Sequence, residues 1–280
     1  MNYKTILVHV DNGKRSAERI ELALHFARTF DAHLVGLFAL STARIPSYAL
    51  AEASSVIVEA EARHRRESAQ AAEKAFRAAA TRHGLSGAEW RASSRDALAA
   101  VRLSARYADL VIAGQCEPDG DGASGVMNDF PEELVLSAGR PILFVPYAGK
   151  FAHVGRRVLL AWNSGQEAAR AVSDALPLLM RAEAVQVISF NPGEGDADHG
   201  EVPGADIGLF LARHGVKVMI EQQTSRNVDV GNQILSRAAD LETDLIVMGA
   251  YGHTRLRELI LGGVTRTLLE TMTVPVLMSH

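Results

Sequence analysis

The feature that most limits how this chain can fold is an internal repeat. The stretch "KTILVHVDNGKRSAERIELALHFARTFDAHLVGLF", which begins at Lys4, returns as "RRVLLAWNSGQEAARAVSDALPLLMRAEAVQVISF", which begins at Arg156. Laid end to end, Asp11 falls on Asn163 and Val35 on Val187, both at one offset (163 − 11 = 187 − 35 = 152). Further along, "HGLSGAEWRASSRDALAAVRLSARYADLVIAGQ" is echoed by "HGVKVMIEQQTSRNVDVGNQILSRAADLETDLIVMGA", and "RPILFVPY" by "VPVLMSH". Repeats of this kind are copies of one structural unit, so a fold for the first half must also serve the second. The 280 residues are enough for two ordinary domains. We expect the first over residues 1–147 and the second over 155–280, joined by the short link "YAGKFAHVG".

Within the repeat the order of elements is legible. Thr5 to Val10 is a β-branched apolar run stopped by the turn residues Asp-Asn-Gly, the pattern of a strand buried on both faces of a parallel sheet. Ser16 to Thr29 places Ile20, Leu24 and Ala27 at helical spacing, and His33 to Phe38 is a second apolar run. An Ala/Glu/Arg-rich stretch from Ala51 to His83 predicts one long helix stopped by Gly84. Strand "AEWRAS", helix "ALAAVRLSARY", strand "DLVIAG", helix "PEELVLS" and strand "PILFVP" complete the unit. In the second half the connection after the second strand is shorter, and "NPGEGDADHGEVPG" reads as a surface loop. Strands alternating with helices predict an α/β fold of two tandem doubly wound parallel-sheet domains.

Composition serves mainly to exclude. With 48% hydrophobic and 22% charged residues the chain reads as globular with a sizeable core, and a net charge of −4 gives no basic footprint for nucleic acid. No apolar run is long enough to span a bilayer, and the opening "MNYKTILVHVDNG" runs straight into a strand without a basic-then-apolar leader. The single cysteine, Cys116, has no partner for an internal disulfide or a cysteine metal cluster. The cytoplasm is therefore the expected location. His9, His25, His33, His64 and His83 lack metal-ligand spacing, and Ser54-Ser55 and Ser93-Ser94 lack a nucleophile elbow or adjacent base. Neither a metal centre nor a hydrolase triad is predicted.

The residues that point to chemistry lie near the end, in "MGAYGHTRLRELILGGVTRTLLE" from Met248. Strand "DLIVMG" ends at Gly249, on the carboxyl edge of a parallel sheet, where open α/β folds place their ligands. Gly249 and Gly252 are expected to turn the chain with positive φ and to let a ligand approach the backbone. Gly262 and Gly263 precede helix "VTRTLLETM", whose first free N–H groups carry the positive end of the helix dipole and suit a phosphate. His253, Arg255 and Arg257 lie between the glycine pairs, where they can add positive charge.

Gly249-x-x-Gly252, nine residues, then Gly262-Gly263 resembles the G-x2-G-x9-G-(S/T) signature of universal stress proteins of the ATP-binding type. The opening "ILVHVDNG" and the strand end "TDLIVMGAYG" are similar to that family as well, and the resemblance covers nearly the whole chain as a tandem of two adenine nucleotide alpha hydrolase-like domains. It implies ATP, ADP or AMP held by the second half, with Mg2+ as companion of the phosphates. Asn163 would lie near the adenosine, and Phe190 and Asn191 would border the adenine through backbone groups. Met248, Gly249 and Gly252 would line the ribose and first phosphates, while Gly262, Gly263, Val264 and Thr265 would hold the outer ones beside His253 and Arg255. Two positions depart from the family pattern. Asn163 stands where the family has an acid, and Gly263 stands where it has Ser or Thr. Losing that hydroxyl removes one phosphate hydrogen bond, worth about 0.5–1.5 kcal/mol as a net neutral bond and more to a charged partner, while the backbone donors remain, so weakened and not abolished binding is expected.

The first half keeps less of the motif. Gly114 matches Gly249, but Glu117 stands for Gly252, and Asn128 and Asp129 stand for Gly262 and Gly263. Acids at 117, 119, 121 and 129 would repel a triphosphate, and Asp129 is expected to cap its own helix. One nucleotide per chain follows. The resemblance implies a nucleotide-binding stress-response or regulatory module, and that no general base, attacking nucleophile or firm Mg2+ carboxylate stands near the phosphate motif argues against rapid hydrolysis. An ATP-dependent enzyme of related fold and an interaction scaffold that binds no nucleotide are the alternatives. The short apolar strands "PILFVPY" and "VPVLMSH" are expected to pair the halves as an intrachain pseudo-dimer, burying Phe144, Val145, Val276 and Leu277, with whole-chain homodimers or a protein partner as further assembly.

Overall fold

A computed structural model describes residues 2–41, 55–116, 124–151, 153–192, 204–224, 228–252 and 263–280. The first half runs β1 (Thr5–Val10), α1 (Ser16–Phe30), β2 (His33–Phe38), α2 (Ser55–Arg82), β3 (Glu89–Ala92), α3 (Ala97–Ala105), β4 (Leu110–Gly114), α4 (Phe130–Ser137) and β5 (Ile142–Val145). The second repeats the order as β6 (Arg157–Ala161), α5 (Gln166–Leu179), β7 (Ala184–Phe190), α6 (Ala205–Arg213), β8 (Val218–Gln223), α7 (Val230–Asp240), β9 (Leu245–Gly249), α8 (Val264–Thr271) and β10 (Val276–Ser279). Local chemistry sets several boundaries. Asp96 and Asp229 hold extended backbones before α3 and α7 and accept from Leu98 N and Asn232 N at 3.0 and 3.1 Å. Gly84, at φ +72°, follows α2 and stops it.

All the strands form one sheet in the order β3-β2-β1-β4-β5-β10-β9-β6-β7-β8. Every neighbouring pair is parallel except β5 and β10, which meet antiparallel. Each half is thus a doubly wound sheet whose strand order reverses between its first and fourth strands, β1/β4 and β6/β9. The seam has a local two-fold axis. Leu143 and Leu277 are equivalent in the two halves (277 − 143 = 134, the spacing of Pro141 and Pro275), and they pair with each other, flanked by Phe144 with Val276 and Ile142 with Met278. Phe144, Val145, Val276 and Leu277 are all buried.

One core covers each face of the sheet and draws on both halves. Ile6, Val8, Phe26, Phe76, Val158, Leu160, Val172 and Leu211 belong to one, beneath α1, α2, α5 and α6. Leu7, Val101, Leu134, Leu159, Ile234 and Leu268 belong to the other, beneath α3, α4, α7 and α8. The end-to-end alignment of the repeat holds from β1 through α1 but not in β2. Leu7 pairs with Val35 while its counterpart Leu159 pairs with Gln186, so Val35 corresponds to Gln186 and not to Val187 (186 − 35 = 151). The residue is lost between helix and strand, where α5 has 14 residues against 15 in α1. A slip inside the strand would turn its apolar face outward, so only the connection can absorb it.

Candidate functional site

At the strand-order reversal of the second half, the ends of β6, β7 and β9 and the starts of α7 and α8 enclose a cavity of about 120 Å³. Asn163, Phe190, Met248, Gly249, Gly252, Val264 and Thr265, all named by the sequence motif, line it, together with Ala161, Trp162, Val230, Ile234 and Tyr251. Asn163 Oδ1 accepts from Gly165 N at 3.1 Å, which fixes the turn out of β6. Gly263 is the residue before α8, with an extended backbone and no side chain to satisfy the free N–H groups that follow. Tyr251 N donates to Thr265 Oγ1 at 3.2 Å and ties the β9 loop to the helix start. Asn191 lies just beyond the cavity lining, and its N–H is engaged with Gln223 O at 2.8 Å, so it is not open to a base. His253, Arg255, Arg257 and Gly262 lie outside the described residues.

The glycines do different work from that expected. Neither Gly249 nor Gly252 has positive φ; the left-handed residue of this turn is Tyr251, at φ +52°. A Cβ on Gly249 would lie 2.4 Å from Ala168 N and 2.6 Å from Glu167 C, so the close approach of α5 by itself requires a bare residue there. Gly252 is less confined, with a Cβ meeting only Glu167 Oε2 at 3.5 Å. Ser164 (φ +60°) and Asn191 (φ +49°) are also left-handed without being glycine. Three such residues, one on each strand exit around one crevice, represent stored backbone strain of the kind that gathers at binding sites. The counterparts of Ser164 and Tyr251 in the first half, Asn12 (164 − 152) and Cys116 (251 − 135), are not left-handed.

The first-half crevice is filled from within. Its cavity is about 20 Å³ and is lined by Asp11, Arg19, Gly114, Gln115, Phe130 and their neighbours. Arg19 Nη2 lies 2.6 Å from Asp11 Oδ1, and both side chains are more than nine-tenths buried (4% and 7% exposed). The guanidinium rests against Gly114, where a Cβ would lie 2.0 Å from Arg19 Nη1. Burial alone would push the Asp11 carboxyl up, but the Arg19 charge, helped by the Gly13 N–H, holds it below the usual carboxylate range. His9 is itself fully buried, its Nε2–H donating to Ala39 O at 2.8 Å and its ring 5.0 Å from that of Phe130. Burial depresses its pKa, Asp11 partly opposes this, and Arg19 adds to it.

In the second half these three positions are small. Ala171 stands for Arg19 (19 + 152), Ala161 for His9 (9 + 152) and Val264 for Phe130 (130 + 134). The acids at 117, 119 and 121 lie outside the described residues, so what the structure shows closing the first crevice is volume and an internal cation. Asp129 does not cap α4. It sits at the N-cap position with a helical backbone (φ −82°, ψ −5°) and no capping bond, and Pro131 removes one of the two N–H groups a cap would bind.

Residues 2–145 and again 156–280 match the universal stress protein family. The chain belongs to that family. It carries two of the family's domains in tandem, and its members are stress-response proteins. A universal stress protein of Synechocystis sp. is 24% identical over 173 residues, 60% of this chain; the match spans 57% of that protein's length. A universal stress protein from Archaeoglobus fulgidus has 15% identity and a TM-score of 0.72 over 98% of this chain and 95% of that one, which shows a shared fold. A universal stress protein solved in complex with cAMP matches 53% of this chain and 100% of its own, with 20% identity and a TM-score of 0.35.

Sequence reading missed Arg19, His9, Phe130, Trp162 and Tyr251. The first three carried a signal: a charged or bulky residue in one repeat facing Ala or Val in the other. Trp162 and Tyr251 carried none, because an aromatic beside a strand end is more often core than site.

Proposed function

We propose that the second half of this tandem universal stress protein binds one adenine nucleotide, with the phosphates at the start of α8 and the nucleoside across the exits of β6 and β7. The observation that carries the reading is the meeting of seven motif residues in one cavity, at the strand-order reversal where doubly wound sheets take ligands. The N–H groups of Val264 and Thr265 open α8 beside Gly263 and favour an anion there. Trp162 and Phe190 offer aromatic surface for the base, and Asn163 stands beside them at the exit of β6. Among the described lining residues none is a carboxylate, lysine or histidine.

Titration calorimetry with ATP, ADP and AMP tests this. One site per chain is expected, lost in Gly252→Glu with the circular dichroism spectrum unchanged. Two equivalent sites, or undiminished affinity in that variant, would place the ligand elsewhere.

A further inference from the structure

The two ends of the sheet are finished differently. At the first-half edge, β3 has four residues, and its Glu89 and Arg91 pair at 2.7 Å, with His33 3.2 Å from Glu89. Charges on a short edge strand discourage further pairing. The helix over that edge, α2, has 28 residues and buries Phe76 against Trp90. At the other edge, β8 has six residues, reading Val-Met-Ile-Glu-Gln-Gln, and the helix packed on it, α6, has nine. Met219 is 58% exposed and Ile220 43%. Leu209 on α6 and Val228 beyond β8 are exposed too, so four of the seven exposed large apolar residues among those described belong to this end of the second half.

Among the described residues β8 ends the sheet. Lys217 O accepts from Val185 N and Gln223 O from Asn191 N, so the odd-numbered residues between them turn their backbone groups to β7. The even-numbered ones, Val218, Ile220 and Gln222, present theirs outward. We infer that β8 is an interface for a second copy of this chain, added antiparallel about a two-fold axis through Met219. In this register Val218 and Ile220 of one molecule exchange backbone hydrogen bonds with Ile220 and Val218 of the other. Met219 faces Met219, and each Lys217 faces a Glu221. The Glu221 carboxylate is already set in place, its Oε2 accepting from Gln186 Nε2 at 2.9 Å and Arg237 Nη2 at 2.6 Å. Apolar residues thus meet apolar ones and opposite charges meet across the axis, as a self-complementary interface requires. The join also repeats what the chain does internally, where β5 and β10 meet antiparallel about a two-fold.

Native mass spectrometry at micromolar concentration should show dimers. Met219→Lys, a change at an exposed site, should give monomers with an unchanged circular dichroism spectrum, whereas Met180→Lys, at a comparably exposed position (48%) outside this edge, should leave dimers. In a Cys116→Ser background, Met219→Cys should form a disulfide-linked dimer on oxidation, because residues directly opposite in a non-hydrogen-bonded antiparallel pair lie within disulfide reach. Lys217→Cys in the same background should not. A monomeric wild type, a dimer that survives Met219→Lys, or cross-linking at 217 but not at 219 would each overturn the assignment.

Discussion

The two crevices of this chain share a backbone plan and differ in what fills it. Both follow a strand with an Asx turn, Asp11 to Gly13 N at 2.8 Å and Asn163 to Gly165 N at 3.1 Å, and both have a glycine at the end of the fourth strand. In the first half the space holds Arg19, and an acid at 11 is then required as its counter-ion. In the second half residue 171 is alanine, no counter-ion is needed, and asparagine at 163 keeps the turn while dropping the charge. Residues 11 and 163 thus each suit what stands at 19 and 171, and the pair 11/19 reads as one unit, as does 163/171.

Moving that unit between halves gives the largest expected effect. Asn163→Asp with Ala171→Arg should rebuild the first-half ion pair in the second crevice and abolish nucleotide binding by calorimetry, with the fold retained. Ala171→Arg alone should also unfold at lower urea, because it buries a cation without its partner. Undiminished binding in the double variant would mean that the crevice is not the site.

The reverse experiment is smaller and reads stability. Arg19→Ala leaves Asp11 buried and unpaired and should cost about 3–5 kcal/mol in urea unfolding, the usual range for breaking a buried pair from one side. Arg19→Ala with Asp11→Asn, the second-half combination, should recover most of that loss. If the double variant is as unstable as the single one, the two residues are not coupled.

Smaller again is the contrast between the glycines. Gly249→Ala drives a Cβ into the backbone of α5 at 2.4 Å and should destabilise by about 1–3 kcal/mol, the range for overpacking. Gly114→Ala meets the end of a side chain, Arg19 Nη1, which can shift where a backbone cannot. Urea melts should rank Gly249→Ala as the worse; the opposite order would show that the Arg19 position is the more rigid of the two.

Much of this plan was legible in the sequence because it is periodic. Apolar runs such as Thr5–Val10 and Leu245–Gly249 became central strands, and the repeat announced the seam at Leu143 and Leu277. The motif glycines located the crevice but not their own roles, since a glycine looks the same whether it turns the chain, admits a ligand or, like Gly249, yields to a packed helix. Arg19 was hidden for a related reason. On a helix otherwise apolar at Ile20, Ala23, Leu24 and Ala27, one arginine reads as a solvated residue until the fold places it against Asp11. The one-residue slip in β2 was hidden because Val35 and Val187 match as letters while lying on opposite faces.

The smallest effect separates the halves by pH. His9 is buried and neutral in the first crevice, its pKa lowered by burial, while its counterpart in the second half is Ala161, which does not titrate. As pH falls below about 6.5, the ordinary value, the unfolded chain takes up a proton at this histidine that the folded one refuses, so stability declines. His25, its pKa also lowered by partial burial and by the nearby His153 and His83, acts in the same direction. Asp11 opposes neither over this range: its folded pKa is depressed, so its contribution is fully present above about pH 4 and is lost only as the pH falls through the lower folded value. Stability should therefore fall between pH 7 and 5, with the His9 share limited to one proton, about 1.4 kcal/mol per pH unit at most. His9→Gln keeps a side-chain N–H for Ala39 O and removes the titration, so its urea-derived stability should fall less steeply over that interval than the wild type. Parallel curves would mean that the decline belongs to other groups and that the histidine contributes volume alone.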